Sequence, residues 1–190
     1  MVKEINIPIT IFFITVVIIL WIIITFGILS TLLTSGQLKV DDKNTYFGMW
    51  TFGEGKKDII ESVLTYCDVT YIPNEICAYS RAVQGLTISA IILTVSAIIL
   101  TVLAPVLFFV LKRKYGIKIP CILIILGGIC HIVSAILWSV KVFNFFINFV
   151  RKNNLANVQY KYDTGFIMQC IAGGLAIVTG STGLILNTKI

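Results

Sequence analysis

Thr45-Tyr46-Phe47-Gly48-Met49-Trp50-Thr51-Phe52, followed by Cys67, Cys77 and Ser80-Arg81-Ala82-Val83, lies between the first two long apolar stretches of the chain. The segment is dense in aromatic and β-forming residues and runs into Gly53-Glu54-Gly55, the pattern of a strand entering a turn. Residues 62–72, rich in Val, Thr and Tyr, predict a second strand, and a third is expected after Pro73-Asn74. The loop at 34–82 is therefore expected to carry a small antiparallel β-sheet.

What flanks this loop is membrane-like. The 190 residues are 57% hydrophobic and 13% charged, with a mean hydropathy of +0.96, far from the balance of a soluble domain. Four blocks, at 7–33, 83–111, 117–140 and 165–186, free of charged residues apart from Lys118 at the edge of the third, each reach the roughly 20 residues an α-helix needs to cross a bilayer core. Backbone polar groups in lipid must be satisfied within the segment, so blocks this long read as helices. The first has too long an apolar run for a cleaved leader and reads as a retained span. The expected architecture is an all-α, left-handed four-helix membrane bundle, a single domain over 1–190, with outer loops at 34–82 and 141–164.

Lys112, Arg113, Lys114 and Lys118 crowd the turn between the second and third blocks with no acid among them. The positive-inside rule places that turn, and with it both termini, in the cytoplasm. Cys121, Cys130 and Cys170 fall inside apolar blocks, whereas Cys67 and Cys77 fall in the outer loop, where an oxidising environment favours a disulfide. Closing that loop is worth roughly 2 to 3 kcal/mol. The third block is continued by Val142, Phe143, Phe145, Phe146 and Phe149, so its helix is expected to project beyond the membrane and lean on the sheet. Ala172, Ala176 and Gly180, with Gly173, Gly174 and Gly183 beside them, mark a face for close helix packing within the chain.

The net charge of +6 is spread over both sides of a membrane and forms no basic face interleaved with aromatics, which argues against nucleic acid. The single histidine, His131, sits mid-span with no acid in any span to orient it. No catalytic constellation, metal cluster, paired haem ligands or phosphate-cradling loop is visible, so no enzyme activity, cofactor, metal or small-molecule substrate is expected. His131 reads as a core residue bonded to Thr94, Ser96 or Ser134. Thr188-Lys189-Ile190 matches a carboxyl-terminal PDZ ligand in Thr188 and Ile190, but the few residues separating it from the membrane make chance the heavier explanation.

Gly48-Met49-Trp50, the pair Cys67 and Cys77, Arg81 at the mouth of the second span, and Tyr162-Asp163-Thr164-Gly165-Phe166 before the last span together resemble the claudin and peripheral-myelin-protein superfamily, whose signature is Gly-Leu-Trp followed by two cysteines. The chain departs from that pattern in Met49 and in the longer separation of Trp50 from Cys67. The resemblance implies a plasma-membrane protein acting by binding and assembly at cell-cell contacts, with Asp68 and Glu75 beside the cysteines as candidate pore or partner contacts. The same fold also serves auxiliary subunits of ion channels and receptors, such as the calcium-channel gamma proteins, whose Leu-Arg-Ala-Val resembles Ser80-Arg81-Ala82-Val83. Expected partners are thus the lipid bilayer and other membrane proteins, either further copies of the chain or a channel.

Overall fold

In a computed structural model of the chain, residues 7–40, 43–48, 51–54, 61–62, 73–111, 118–152 and 158–187 are described. Helix α1 covers Ile7–Leu32, α2 Asn74–Leu111, α3 Lys118–Leu137, α4 Asn144–Lys152 and α5 Thr164–Asn187. Strands are β1 Thr34–Val40, β2 Lys43–Gly48, β3 Thr51–Glu54, β4 Glu61–Ser62 and β5 Val158–Tyr162. Four helical stretches are long and apolar enough to cross a membrane. Their outward faces carry large apolar side chains such as Trp21, Ile99, Val102 and Val178, each more than half exposed. Outward apolar faces of this extent suit lipid as the surrounding solvent.

The sheet differs from the expectation in several respects. Among the described residues it has five strands in the order β4-β3-β2-β1-β5, and β5 comes from the second loop. Residues 45–52 do not form one strand: the segment is divided between β2 and β3, which pair antiparallel through Tyr46 opposite Gly53 and Phe47 opposite Phe52. The strand expected over 62–72 is seen only at Ser62, at the end of β4; residues 63–72 lie outside the described residues. Strand β1, unread in the sequence because Ser35, Gly36 and Gln37 look like turn chemistry, is paired on both sides, with β2 and with β5. Its conformation comes from these two neighbours, a tertiary override of a weak local preference.

The third expected strand, after Pro73-Asn74, is instead the start of α2. Amides of Ile76 and Cys77 donate to the Pro73 carbonyl at 2.9 and 3.3 Å, and Glu75 places an acid in the first turn, where the helix dipole favours it. Cys77, Ser80 and Arg81 therefore lie on a helix and not in a loop. At the other end α2 continues through Pro105 to Leu111.

The projecting third helix is as expected. Lys118–Lys152 is helical throughout, with a π-helical turn at Trp138–Phe143 joining α3 to α4. These 35 residues span about 52 Å at 1.5 Å per residue, well beyond a bilayer core of about 30 Å. The wider π turn puts Trp138, Val142 and Phe143 on one inward face. Trp138 stacks on Phe143 at 5.0 Å between ring centroids, and Phe166 from α5 and Tyr162 from β5 extend the cluster. The Ser139 and Tyr162 hydroxyls are 2.5 Å apart, and the Asp163 amide donates to Ser35 O at 2.8 Å, tying β5 and the start of α5 to β1. Asp163 Oδ1 also accepts from the amide of Thr164, the first residue of α5, at 2.8 Å.

The small residues of α5 do pack within the chain. Gly173 lies against Ile132 and the Gly128 carbonyl, Gly180 against Ile125 and the Cys121 carbonyl, and Gly183 against Cys121 Sγ. Gly174, on another side of the helix, meets nothing within 4 Å.

Candidate functional site

Of the residues singled out by sequence, Gly48, Glu75, Cys77 and Arg81 fall among the described residues. Gly48 is buried at the end of β2 opposite Thr34; Glu75 and Arg81 are exposed on α2. Cys77 is buried and is not among the free thiols of the described residues, which are Cys121, Cys130 and Cys170. Met49, Trp50, Cys67, Asp68, Thr188 and Ile190 lie outside the described residues.

The structure instead assembles a group of buried polar side chains drawn from all four spans. Ser30 on α1, Gln84, Thr87 and Thr94 on α2, His131 and Ser134 on α3, and Gln169 on α5 are each at most 6% exposed. Gln169 is central: the Ser30 hydroxyl donates to its Oε1, and its Nε2 donates to Thr87 Oγ1 at 3.2 Å. Thr87 and Ser134 hydroxyls are 2.7 Å apart, and both reach the Val83 carbonyl, at 2.9 and 3.1 Å. Hydrogen bonds thus link α1 to α5, α5 to α2 and α2 to α3.

This layer is enclosed along α2, α3 and α5. Toward the sheet lies the cluster of Val83, Trp138, Val142, Phe143 and Ile147, with Phe166 packed against it. Toward the other end lies the cluster of Leu20, Ile23, Ala97, Ile124, Ala172 and Ala176. Gln169 falls between Phe166 and Ala172 on α5, His131 and Ser134 between Ile124 and Trp138 on α3, and Thr87 between Val83 and Ala97 on α2. Such an arrangement holds four helices in register, because a one-turn slip would bury unpaired amide and hydroxyl groups in an apolar surrounding.

His131 is fully buried, and none of the hydrogen bonds expected for it, to Thr94, Ser96 or Ser134, forms. Neither ring nitrogen has a partner; Thr94 bonds back to the Ala90 carbonyl at 2.8 Å, and Ser134 is engaged with Thr87 and Val83. The Gln169 side chain bears on the ring without meeting hydrogen-bond geometry. Among the described residues no three His, Cys, Asp or Glu side chains converge on a metal-sized site.

Reading the blocks only for charge passed over Gln84 and Gln169. A signal was present: Ser80, Gln84, Thr87 and Thr94 recur on α2 at the spacing of one helix face. A Gln169→Leu variant is expected to lose about 1 to 2 kcal/mol, since Ser30 and Thr87 lose a partner inside the bundle. Thermal unfolding in detergent, compared with the wild type, measures it; an unchanged midpoint would remove the amide from the set of contacts that hold the spans.

No protein-family model matches the chain, and no curated protein matches it significantly.

Proposed function

We propose that the protein is a claudin-like tetraspan of the plasma membrane that acts by binding and assembly at cell-cell contacts, and that it catalyses no reaction. The observation that carries this reading is the sheet. Both loops contribute strands, and the sheet is seated on an aromatic floor formed by the π turn, with Gly36 of β1 flush against Phe143 and Trp138. A sheet held this closely presents a shaped surface beyond the bundle, as recognition of another protein requires. The resemblance carried by Gly48, Met49, Trp50, Arg81 and the cysteine pair points to the same class. The pairing of Cys67 with Cys77, and contact roles for Asp68 and Glu75, belong to the proposal.

A role as auxiliary subunit of an ion channel or receptor is the second reading, and one observation favours it. Ala78, Ala82, Gly85 and Ser89 form an exposed small-residue face on α2 beside Arg81, and a Cβ at Gly85 would meet nothing within 4 Å. Helices of a larger membrane protein can approach such a face closely. Affinity purification without crosslinking separates the two readings. A stoichiometric channel partner would overturn the contact-protein reading, whereas self-assembled strands in cells that lack junctions would overturn the auxiliary one.

Cys77→Ser is expected to loosen the first loop by roughly 2 to 3 kcal/mol while the spans remain inserted. Limited proteolysis of membranes reads this as faster cleavage between residues 49 and 72 at an unchanged amount of inserted protein. Wild-type resistance would exclude the disulfide.

A further inference from the structure

The polar layer has hydrogen-bonding capacity that its own side chains do not use. A glutamine amide offers two donors and an acceptor with two lone pairs. Gln169 spends one donor on Thr87 and one lone pair on Ser30, leaving one of each. His131 offers both ring nitrogens, neither of them partnered. Gln84, one turn nearer the sheet than Thr87 on the same face of α2, has an unpartnered Nε2 and is 6% exposed. Leaving such groups bare in an apolar bundle costs roughly 1 to 3 kcal/mol each, and buried polar groups in folded proteins find a partner in protein or water.

The surroundings identify that partner. The buried residues described include no carboxylate, lysine or arginine, so nothing balances an ion. Gly27 of α1 leaves little room beside the ring, since a Cβ there would lie 3.0 Å from His131 Cε1 and 3.3 Å from Nε2. A neutral ligand able both to donate and to accept, and small enough for such a site, is water, which characteristically takes about three hydrogen bonds from buried polar groups.

We propose that the polar layer is a hydration site, in which water held between the His131 ring and the Gln169 amide completes the hydrogen bonding of both. Apolar clusters flank the layer along α2, α3 and α5; the water bridges α3 to α5 and extends the direct links among the other spans. The layer then joins all four helices through a shared network whose last member is solvent.

The chain has one histidine, so histidine-selective 15N labelling reports on a single ring. In the protein reconstituted in lipid bilayers, solid-state NMR with polarisation transferred from water protons is expected to give a ring-nitrogen signal at short mixing times, although the residue is fully buried. In Gln169→Leu that transfer is expected to slow severalfold. Absence of water transfer to the wild-type ring would overturn the proposal, and this measurement needs no variant to fold. Transfer of unchanged rate in Gln169→Leu would also overturn it, because the water would then not be held by the amide.

Discussion

Gly128→Leu is expected to lose the native bundle. A Cβ at this position would lie 2.8 Å from the Gly173 carbonyl oxygen, 2.8 Å from Ile177 Cγ1 and 3.0 Å from Ala176 Cβ. The first of these is backbone and cannot rotate away. The contact is reciprocal, since a Cβ at Gly173 would lie 3.0 Å from the Gly128 carbonyl oxygen, so α3 and α5 meet main chain to main chain. Overpacking a close contact costs about 1 to 3 kcal/mol when side chains can adjust, and a backbone obstruction falls at or above the top of that range. Separating α3 from α5 also draws Ser134 and Gln169 apart on either side of Thr87. The expected result is a sharply reduced yield of monodisperse protein in detergent and a lowered unfolding midpoint. Gly174→Ala and Gly85→Ala are the controls: nothing lies within 4 Å of either added Cβ, and each should be neutral or stabilising by roughly 0.5 to 1 kcal/mol. Equal behaviour of Gly128→Leu and Gly174→Ala would mean that the close approach of α3 and α5 is wrong.

Gly36→Val is expected to unseat the sheet while leaving the four spans in place. A Cβ at Gly36 would stand 2.7 Å from Phe143 Cε2, 2.8 Å from Phe143 Cζ and 2.8 Å from Trp138 Cη2. Both rings are essentially without exposure and stack on each other, so neither has free space to move into. Gly36 also pairs with Phe47 on one side and Tyr162 on the other. Lifting β1 therefore disturbs the strands of both loops. A loss of about 3 kcal/mol is expected, read as earlier proteolysis of the loops and a fall in the tryptophan signal of tertiary packing, with membrane insertion retained. Wild-type protease resistance would show that the sheet does not sit on the aromatic floor.

Hydropathy located the four helices well, with bounds within a residue or so at 7–33 and 165–186 against Ile7–Leu32 and Thr164–Asn187. It failed at Asn74–Val83, because a hydropathy block records only the part of a helix that lies in lipid. The first turns of α2 carry Asn74, Glu75, Ser80 and Arg81 and stand outside the apolar run. Pro73 and Glu75 held a helix-start signal that the expectation of a third strand obscured. The strand at Val158–Tyr162 was equally hidden. Tyr160 and Tyr162 give it strand character, but only the partner β1, more than a hundred residues earlier, makes it part of the sheet.

Composition and pattern were enough to establish four membrane-length helices, a long aromatic loop with two cysteines, and a helix running on past the third span. Solvent preference and local periodicity are properties of neighbouring residues, and they can be read along the chain. The joining of two loops in one sheet, the seating of Gly36 on Trp138 and Phe143, and the meeting of Ser30, Thr87, Ser134 and Gln169 were decided by tertiary structure. Each of these depends on which faces of distant segments come together, and a hydroxyl or amide in an apolar span declares its partner only when the facing helix is in place.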